Sequence, residues 1–256
     1  MKSNMELNSD AVNLRKDFGV DIYSFIDVFS LSASIEDLSI SFLPLGENIS
    51  GACSKFDRQN LIVINSDFTY GRQRFTVAHE LCHLYIQKLL GTILCSKELE
   101  SDSNNIQEKE ADIFASYFLA PHEALNNFIF KSLKLQSIEN IELNHVVAIE
   151  QHFGFSRMAV LYRLIRDGYL TKKKTESMTQ NIKSSAAELG YDISLYRPRS
   201  DKNKYGTIGS YIKLAEELKK RGLVSDGKYE ELLLDAFRSD IVYGLETDTA
   251  ETGNYD

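Results

Sequence analysis

Residues 74–85, Arg-Phe-Thr-Val-Ala-His-Glu-Leu-Cys-His-Leu-Tyr, constrain this chain more than any other stretch. His79, Glu80 and His83 form the pattern H-E-x-x-H. On an α-helix four residues advance about 400°, so both imidazoles leave nearly the same face. There each can bring a ring nitrogen to about 2.0–2.1 Å from a single Zn²⁺. Glu80 flanks that face, where a carboxylate can take a proton from a zinc-held water without being a ligand. The plain alternative is three letters falling together by chance in an unrelated helix. Phe75, Val77, Ala78, Leu81, Leu84 and Tyr85 argue against it, because they require the helix to be buried. The motif also uses two of the five histidines.

A chain of 256 residues suffices for one large domain or two smaller ones around a real core. It has no run of about 18 apolar residues, so no membrane span is expected. The first ten residues lack an apolar signal region. Cys53, Cys82 and Cys95 follow neither a disulfide nor a zinc-ribbon spacing. These features together point to a reducing cytoplasm. The net charge of −8 argues against DNA binding by the chain as a whole. The charge is uneven, however: residues 171–222 hold twelve Lys/Arg against six Asp/Glu. A solvated basic surface is the plainer reading of that stretch, and a contact for an acidic partner or nucleic acid is the sharper one.

Taken in order, residues 9–18 and 22–31 read as helices. Residues 39–45, 49–55 and 61–65 are short, β-rich and bounded by turn residues. They predict a small, largely antiparallel sheet leading into the H-E-x-x-H helix. Ser66 or Asp67 is a candidate cap for that helix, although Tyr70-Gly71 suggests a start near Arg72. Residues 91–107 read as a polar loop, and a helix then runs from Gln107 to Pro121.

That helix holds the candidates for a third ligand, because catalytic zinc sites use three protein ligands and keep one position for water. Glu108 and Glu110 both qualify. Glu108 carries Asp112 at i+4, positioned to hydrogen-bond the outer nitrogen of a ligand histidine, whereas Glu110 carries Phe114 there. Glu108 is favoured. For either one, the ordinary alternative is a surface acid in a helix's first turn. Tyr117, His122 and Tyr162 are unranked candidates for an oxyanion-stabilising donor. His145 and His152 read as structural or surface residues.

Residues 141–150 and 156–166 make a helix–turn–helix pattern. Ser156 is the cap of its second helix, and Met158, Ala159, Leu161, Tyr162 and Leu164 form an apolar face. Arg157, Arg163 and Arg166 leave a DNA-reading role open, but packing on the core is favoured. Residues 208–221 and 228–237 read as helices, residues 191–205 as a loop, and the acidic last dozen as disordered.

The string at 74–85, followed by Glu-Lys-Glu-Ala-Asp-Ile-Phe-Ala at 108–115 and Phe-Leu-Ala-Pro at 118–121, resembles the ImmA/IrrE family of metallopeptidases. Ile49-Ser-Gly-Ala, Ile62-Val-Ile-Asn-Ser and the 153–164 segment are similar to the family's flanking strands and its downstream helix–turn–helix-like region. The resemblance covers roughly residues 10–170. It implies a thermolysin-like zinc endopeptidase with His79, His83 and Glu108 as ligands and Glu80 as general base. It further implies a protein substrate, a helix-turn-helix repressor or similar regulator whose cleavage or inactivation switches on a phage, mobile-element or stress operon. Cys82 departs from the small residue, usually glycine, common there in the family. It reads as a packing residue rather than a redox-sensitive one.

The expected fold is α+β: a peptidase core over residues 1–125, a helix-turn-helix-like segment over 126–172, and a helical C-terminal region over 173–256. The 61–65 strand, adjoining the active-site helix, motivates substrate binding by strand addition to the sheet edge. Two competing classes remain. One is a metal-binding regulator, antitoxin-like or repressor-sequestering, that acts without proteolysis. The other is a DNA-binding protein.

Overall fold

The computed structural model describes residues 1–88, 91–96 and 106–245. It is an α+β fold in which helices surround a five-stranded sheet of order β4-β2-β3-β1-β5. Helix α1 (Asn4–Asp17) begins earlier than the apolar pattern suggests, because Ser3 and Glu6 form a capping box. The expected helix at 22–31 is displaced to α2 (Val28–Ser34), capped by the Asp27 side chain. Residues 21–24 are held out of a helix by Arg15, whose guanidinium donates to the carbonyls of Asp21 and Ser24.

Strands β1 (Leu38–Leu43), β2 (Ile49–Phe56) and β3 (Gln59–Asn65) lie where the β-rich runs predict them. β2 pairs antiparallel with β3, but β1 pairs parallel with it. β3 is therefore interior, with neighbours on both sides, and offers no edge to a substrate. One face of the sheet, carrying Ile40, Phe42, Cys53, Ile62 and Ile64, is buried with Val77, Ala78 and Leu81 of α3 (Tyr70–Leu81).

Neither Ser66 nor Asp67 caps α3. The Asn65 side chain accepts from the amides of Leu45 and Asp67, which turns the chain before the helix can start. The amide of Tyr70 donates to the Arg197 carbonyl at 2.7 Å, so the segment at 191–205 closes the start of the motif helix. After Leu81 the helix widens into a π-turn, Cys82–Ile86, with the Gln87 amide bonded to the Cys82 carbonyl. Such turns recur at functional sites. Cys82 is fully buried, as a packing residue should be.

The segment read as a loop contains β4 (Gly91–Ser96), antiparallel to β2; residues 97–105 lie outside the described residues. Then come α4 (Ile106–Leu119), α5 (His122–Asn127), α6 (Leu143–Phe153) and α7 (Arg157–Arg166). Ser156 caps α7, its side chain accepting from the Ala159 amide. The buried face of α7 differs from the expected one: Arg157, Val160, Leu161, Arg163 and Leu164 are buried, while Met158 is 40% and Tyr162 66% exposed. Arg157 bonds the buried Glu150 carboxylate, and Arg163 pairs with Asp167 and donates to the carbonyls of Ser116 and Ala120. Two of the three arginines that left DNA reading open are thus inside the protein, neutralising acids and capping helix ends.

Gly154, at φ 70°, ends α6 in the left-handed region. A Cβ there would collide with Arg74 of α3, which donates to the Gly154 carbonyl at 3.2 Å and to that of Ile26 at 2.6 Å. Gly154→Ala is expected to lower unfolding stability by about 1–3 kcal/mol, read by urea denaturation. An unchanged midpoint would show that Arg74 can move without cost.

The sheet also takes in residues 206–209. Short helices α8 (Lys172–Thr175) and α9 (Ile182–Glu188) lead to β5 (Gly206–Gly209), which pairs antiparallel with β1. The helix expected from 208 therefore starts two residues later, as α10 (Ser210–Lys220). Gly209, at φ 99°, makes the strand-to-helix bend where a Cβ would strike the Leu38 carbonyl. α11 (Asp226–Asp235) and α12 (Ser239–Val242) close the described chain; the acidic tail beyond 245 lies outside it. Among the described residues no helix is long and apolar enough to cross a membrane.

Candidate metal centre

His79 ends one turn of α3 and His83 opens the next, so both rings project toward α4. His79 Nδ1 donates to Asp112 Oδ1 at 2.9 Å, and His83 Nδ1 donates to Gln87 Oε1 at 2.6 Å. With Nδ1 of each ring bonded to an oxygen, the neutral rings turn their Nε2 lone pairs toward one point, the two Nε2 atoms lying 3.0 Å apart. Glu108 reaches the same point: one carboxylate oxygen lies 3.1 Å from His79 Nε2 and the other 3.4 Å from His83 Nε2. Glu110 does not come near. Its carboxylate accepts the Lys2 amide at 2.5 Å, on the side of the helix facing α1.

A fourth donor comes from outside the motifs. Cys95 on β4 places its Sγ 3.5 Å from His79 Nε2 and 3.8 Å from His83 Nε2. The ligand atoms of His79, His83, Cys95 and Glu108 all lie within 4.8 Å of one another, and this group can hold a metal ion. Bonds of about 2.0–2.1 Å to nitrogen or oxygen and about 2.3 Å to sulfur put neighbouring donors of a tetrahedron roughly 3.3–3.6 Å apart. The donor set fits such an ion in both spacing and chemistry.

Electrostatics follow the same geometry. Burial raises the Glu108 carboxyl, but His79 and His83 outweigh it and hold the group well below the usual carboxylate range. Burial likewise disfavours the His79 imidazolium, yet Asp112, Cys95 and Glu108 raise it well above the ordinary histidine value. Burial pushes the Cys95 thiol up to about 12, against the pull of His79.

Glu80 is fully buried, and among the described residues neither carboxylate oxygen has a hydrogen bond of ordinary geometry, the weak Cys53 thiol donor being its polar neighbour. It packs beneath β2, where a Cβ on Gly51 would lie 2.7 Å from Thr76 Cγ2 and 3.3 Å from Glu80 Oε1. Burial, and then the Glu80 charge, keep the neighbouring Cys53 thiol protonated. A buried carboxylate without a strong donor costs several kcal/mol, roughly, and calls for a reason.

A cleft of about 410 Å³ opens over the centre. His79, Cys95, Glu108 and Asp112 line it, together with Met158, Tyr162 and Arg166. These last three are i, i+4 and i+8 on α7, which explains why Met158 and Tyr162 are exposed: their row faces the cleft and not the core. Of the three candidate oxyanion donors, Tyr162 lines the cleft. Tyr117 is buried beneath Arg163 and donates to Asp167, and His122 pairs with that same aspartate.

The family model described as an IrrE N-terminal-like domain, Peptidase_M78, matches residues 33–165, slightly more than half of the chain. The chain belongs to this family. A comparison with curated proteins finds no match. Membership supports a metallopeptidase-type function, and the matched span contains all four donors of the cluster.

Gln87 and Cys95 are the residues that motif reading missed in this M78 domain. Gln87 was visible in principle, at i+4 from His83. Cys95 was hidden because β4 is followed by a polar run that makes the whole segment resemble a loop. Asp112→Ala, which removes the acceptor for His79 Nδ1, is expected to weaken metal affinity by about 10–100-fold. Competition with a chromophoric chelator reads this directly, and unchanged affinity would mean that the His79 ring is oriented by packing alone.

Proposed function

We propose that this chain is a zinc-dependent endopeptidase that cleaves a protein regulator. The observation that carries the reading is the buried, unbonded Glu80 carboxylate next to a His79–His83–Glu108 cluster under an open cleft. His79, His83 and Glu108 would hold the ion. When bound, zinc supplies Lewis acidity toward the scissile carbonyl and brings the pKa of water held against it toward about 7. Glu80 takes the proton of the attacking water and later delivers it to the leaving amine. Tyr162, which lines the same cleft, is the donor available to a developing oxyanion. The outer side of β4, which carries Cys95 beside the centre, is the edge that suits an extended substrate; interior β3 does not.

The resemblance to ImmA/IrrE peptidases supports a helix-turn-helix repressor of a phage, mobile element or stress operon as the substrate. The basic 171–222 stretch supports an acidic partner or substrate segment. The test is incubation of the zinc-loaded chain with a peptide library derived from a bacterial proteome, followed by mass spectrometry of new N-termini. Endoproteolytic cuts that vanish with chelator support the reading. Intact peptides and intact repressor proteins, in a sample shown to hold zinc, would leave a metal-binding regulator in its place.

A further inference from the structure

The metal centre as described has one donor too many for a catalytic site. Three protein ligands and an open position mark the catalytic kind, whereas four protein ligands close the coordination sphere. Cys95 is not an incidental neighbour. It lies directly opposite Gly51 in the β2–β4 ladder, and residues opposite each other in antiparallel strands share a face. That face is turned to α3, because a Cβ on Gly51 would press on Thr76 and Glu80. Glycine there lets β2 lie close against Thr76 and Glu80 of α3, on the face that carries Cys95. The register slips at this point: Ile49 faces Ser96 while Gly51 faces Cys95, so Ser50 is the extra residue of a bulge. Bulges re-aim side chains next to sites.

We propose that Cys95 is a fourth protein ligand of the ion held by His79, His83 and Glu108, and that it closes the centre in the resting chain. This rests on the reading of that cluster as a metal centre. The separations of 3.5 and 3.8 Å from Sγ to the two Nε2 atoms bracket the roughly 3.6 Å expected between sulfur and nitrogen on a tetrahedral zinc. On coordination the thiol loses its proton to solvent, as thiols do beside the charge of the ion. Hydrolysis then requires the sulfur to leave and take up a proton, which frees the fourth position. Among the described residues β4 is an edge strand that pairs only with β2, so it can shift without breaking the rest of the sheet. The chain is latent until that strand moves.

Replacement of zinc by Co²⁺ tests this without an activity assay. The wild-type protein is expected to show the near-ultraviolet thiolate-to-cobalt charge-transfer band and the intense visible bands of four-coordinate cobalt. Cys95→Ser and Cys95→Ala lose the charge-transfer band yet still bind cobalt through the other three residues, and Cys82→Ala keeps it. X-ray absorption of the unaltered zinc protein gives a second measurement that needs no variant to fold, with one sulfur expected at about 2.3 Å. Peptide hydrolysis is expected to be faster in Cys95→Ala than in the wild type. A cobalt protein without the band, or a zinc shell of nitrogen and oxygen only, overturns the Cys95 proposal while leaving the three-residue site intact. Failure of His79→Ala to reduce metal binding overturns the site itself, and the proposal with it.

Discussion

Glu80→Gln is expected to stop peptide hydrolysis while zinc binding is retained. The substitution keeps the shape of the side chain and removes its capacity to accept a proton, so a loss of about 10²–10⁴-fold in kcat is expected. The same change should stabilise the fold. Glu80 is fully buried with no donor beside it stronger than the Cys53 thiol, so a neutral amide is expected to cost less there. A residue whose loss raises the melting temperature and abolishes activity is retained for chemistry. Metal content by atomic emission, thermal unfolding and turnover on one preparation separate these effects. Full activity in the variant would remove Glu80 from the reaction, and unfolding would show that its charge has a partner after all.

Glu108→Ala is expected to weaken the centre, and Glu110→Ala to leave it untouched. After dialysis against a graded series of chelators, Glu108→Ala should lose its zinc to a weaker chelator than the wild type does, and Glu110→Ala should match the wild type at about one zinc per chain. Two residues on one helix are separated here by direction alone. Glu108 points at the two Nε2 atoms, while Glu110 accepts the Lys2 amide near α1. The reverse result would require α4 to rotate by about half a turn, breaking that contact.

Much of the centre was legible in the sequence because its parts are local. His79 and His83 need only the pitch of a helix, and Glu108 is favoured over Glu110 by an aspartate four residues later. What was not legible came from pairings across the chain. Cys95 acquires meaning only from its register against Gly51, and a polar run after it masks the strand. Buried Arg157 and Arg163 defeat a pattern reader, because arginine on a helix normally marks the wet side, and here two of them satisfy helix-end carbonyls and carboxylates. That inversion put Met158 and Tyr162 on the packing face in the sequence reading, when they line the cleft. The parallel pairing of β1 with β3, and the four-residue β5 with glycine at both ends, leave no periodic trace at all.

The sheet also bears on how this chain can be divided or recombined. The family match stops at residue 165, but the outer side of β1 is covered by residues 206–209, sealed by Ser39–Ser210 and Ser41–Thr207 hydroxyl contacts at 2.9 Å each. A truncated protein ending at 172 would keep every metal donor and still present β1 as a bare row of amides and carbonyls. Self-association of that fragment, seen as high-mass species in size-exclusion chromatography, is the expected outcome, and a well-behaved monomer would show that the edge protects itself. For a gene that exchanges its 3′ half with another, the constraint is stricter than keeping the His79–His83–Cys95–Glu108 cluster: the incoming segment must bring its own strand to lay beside β1.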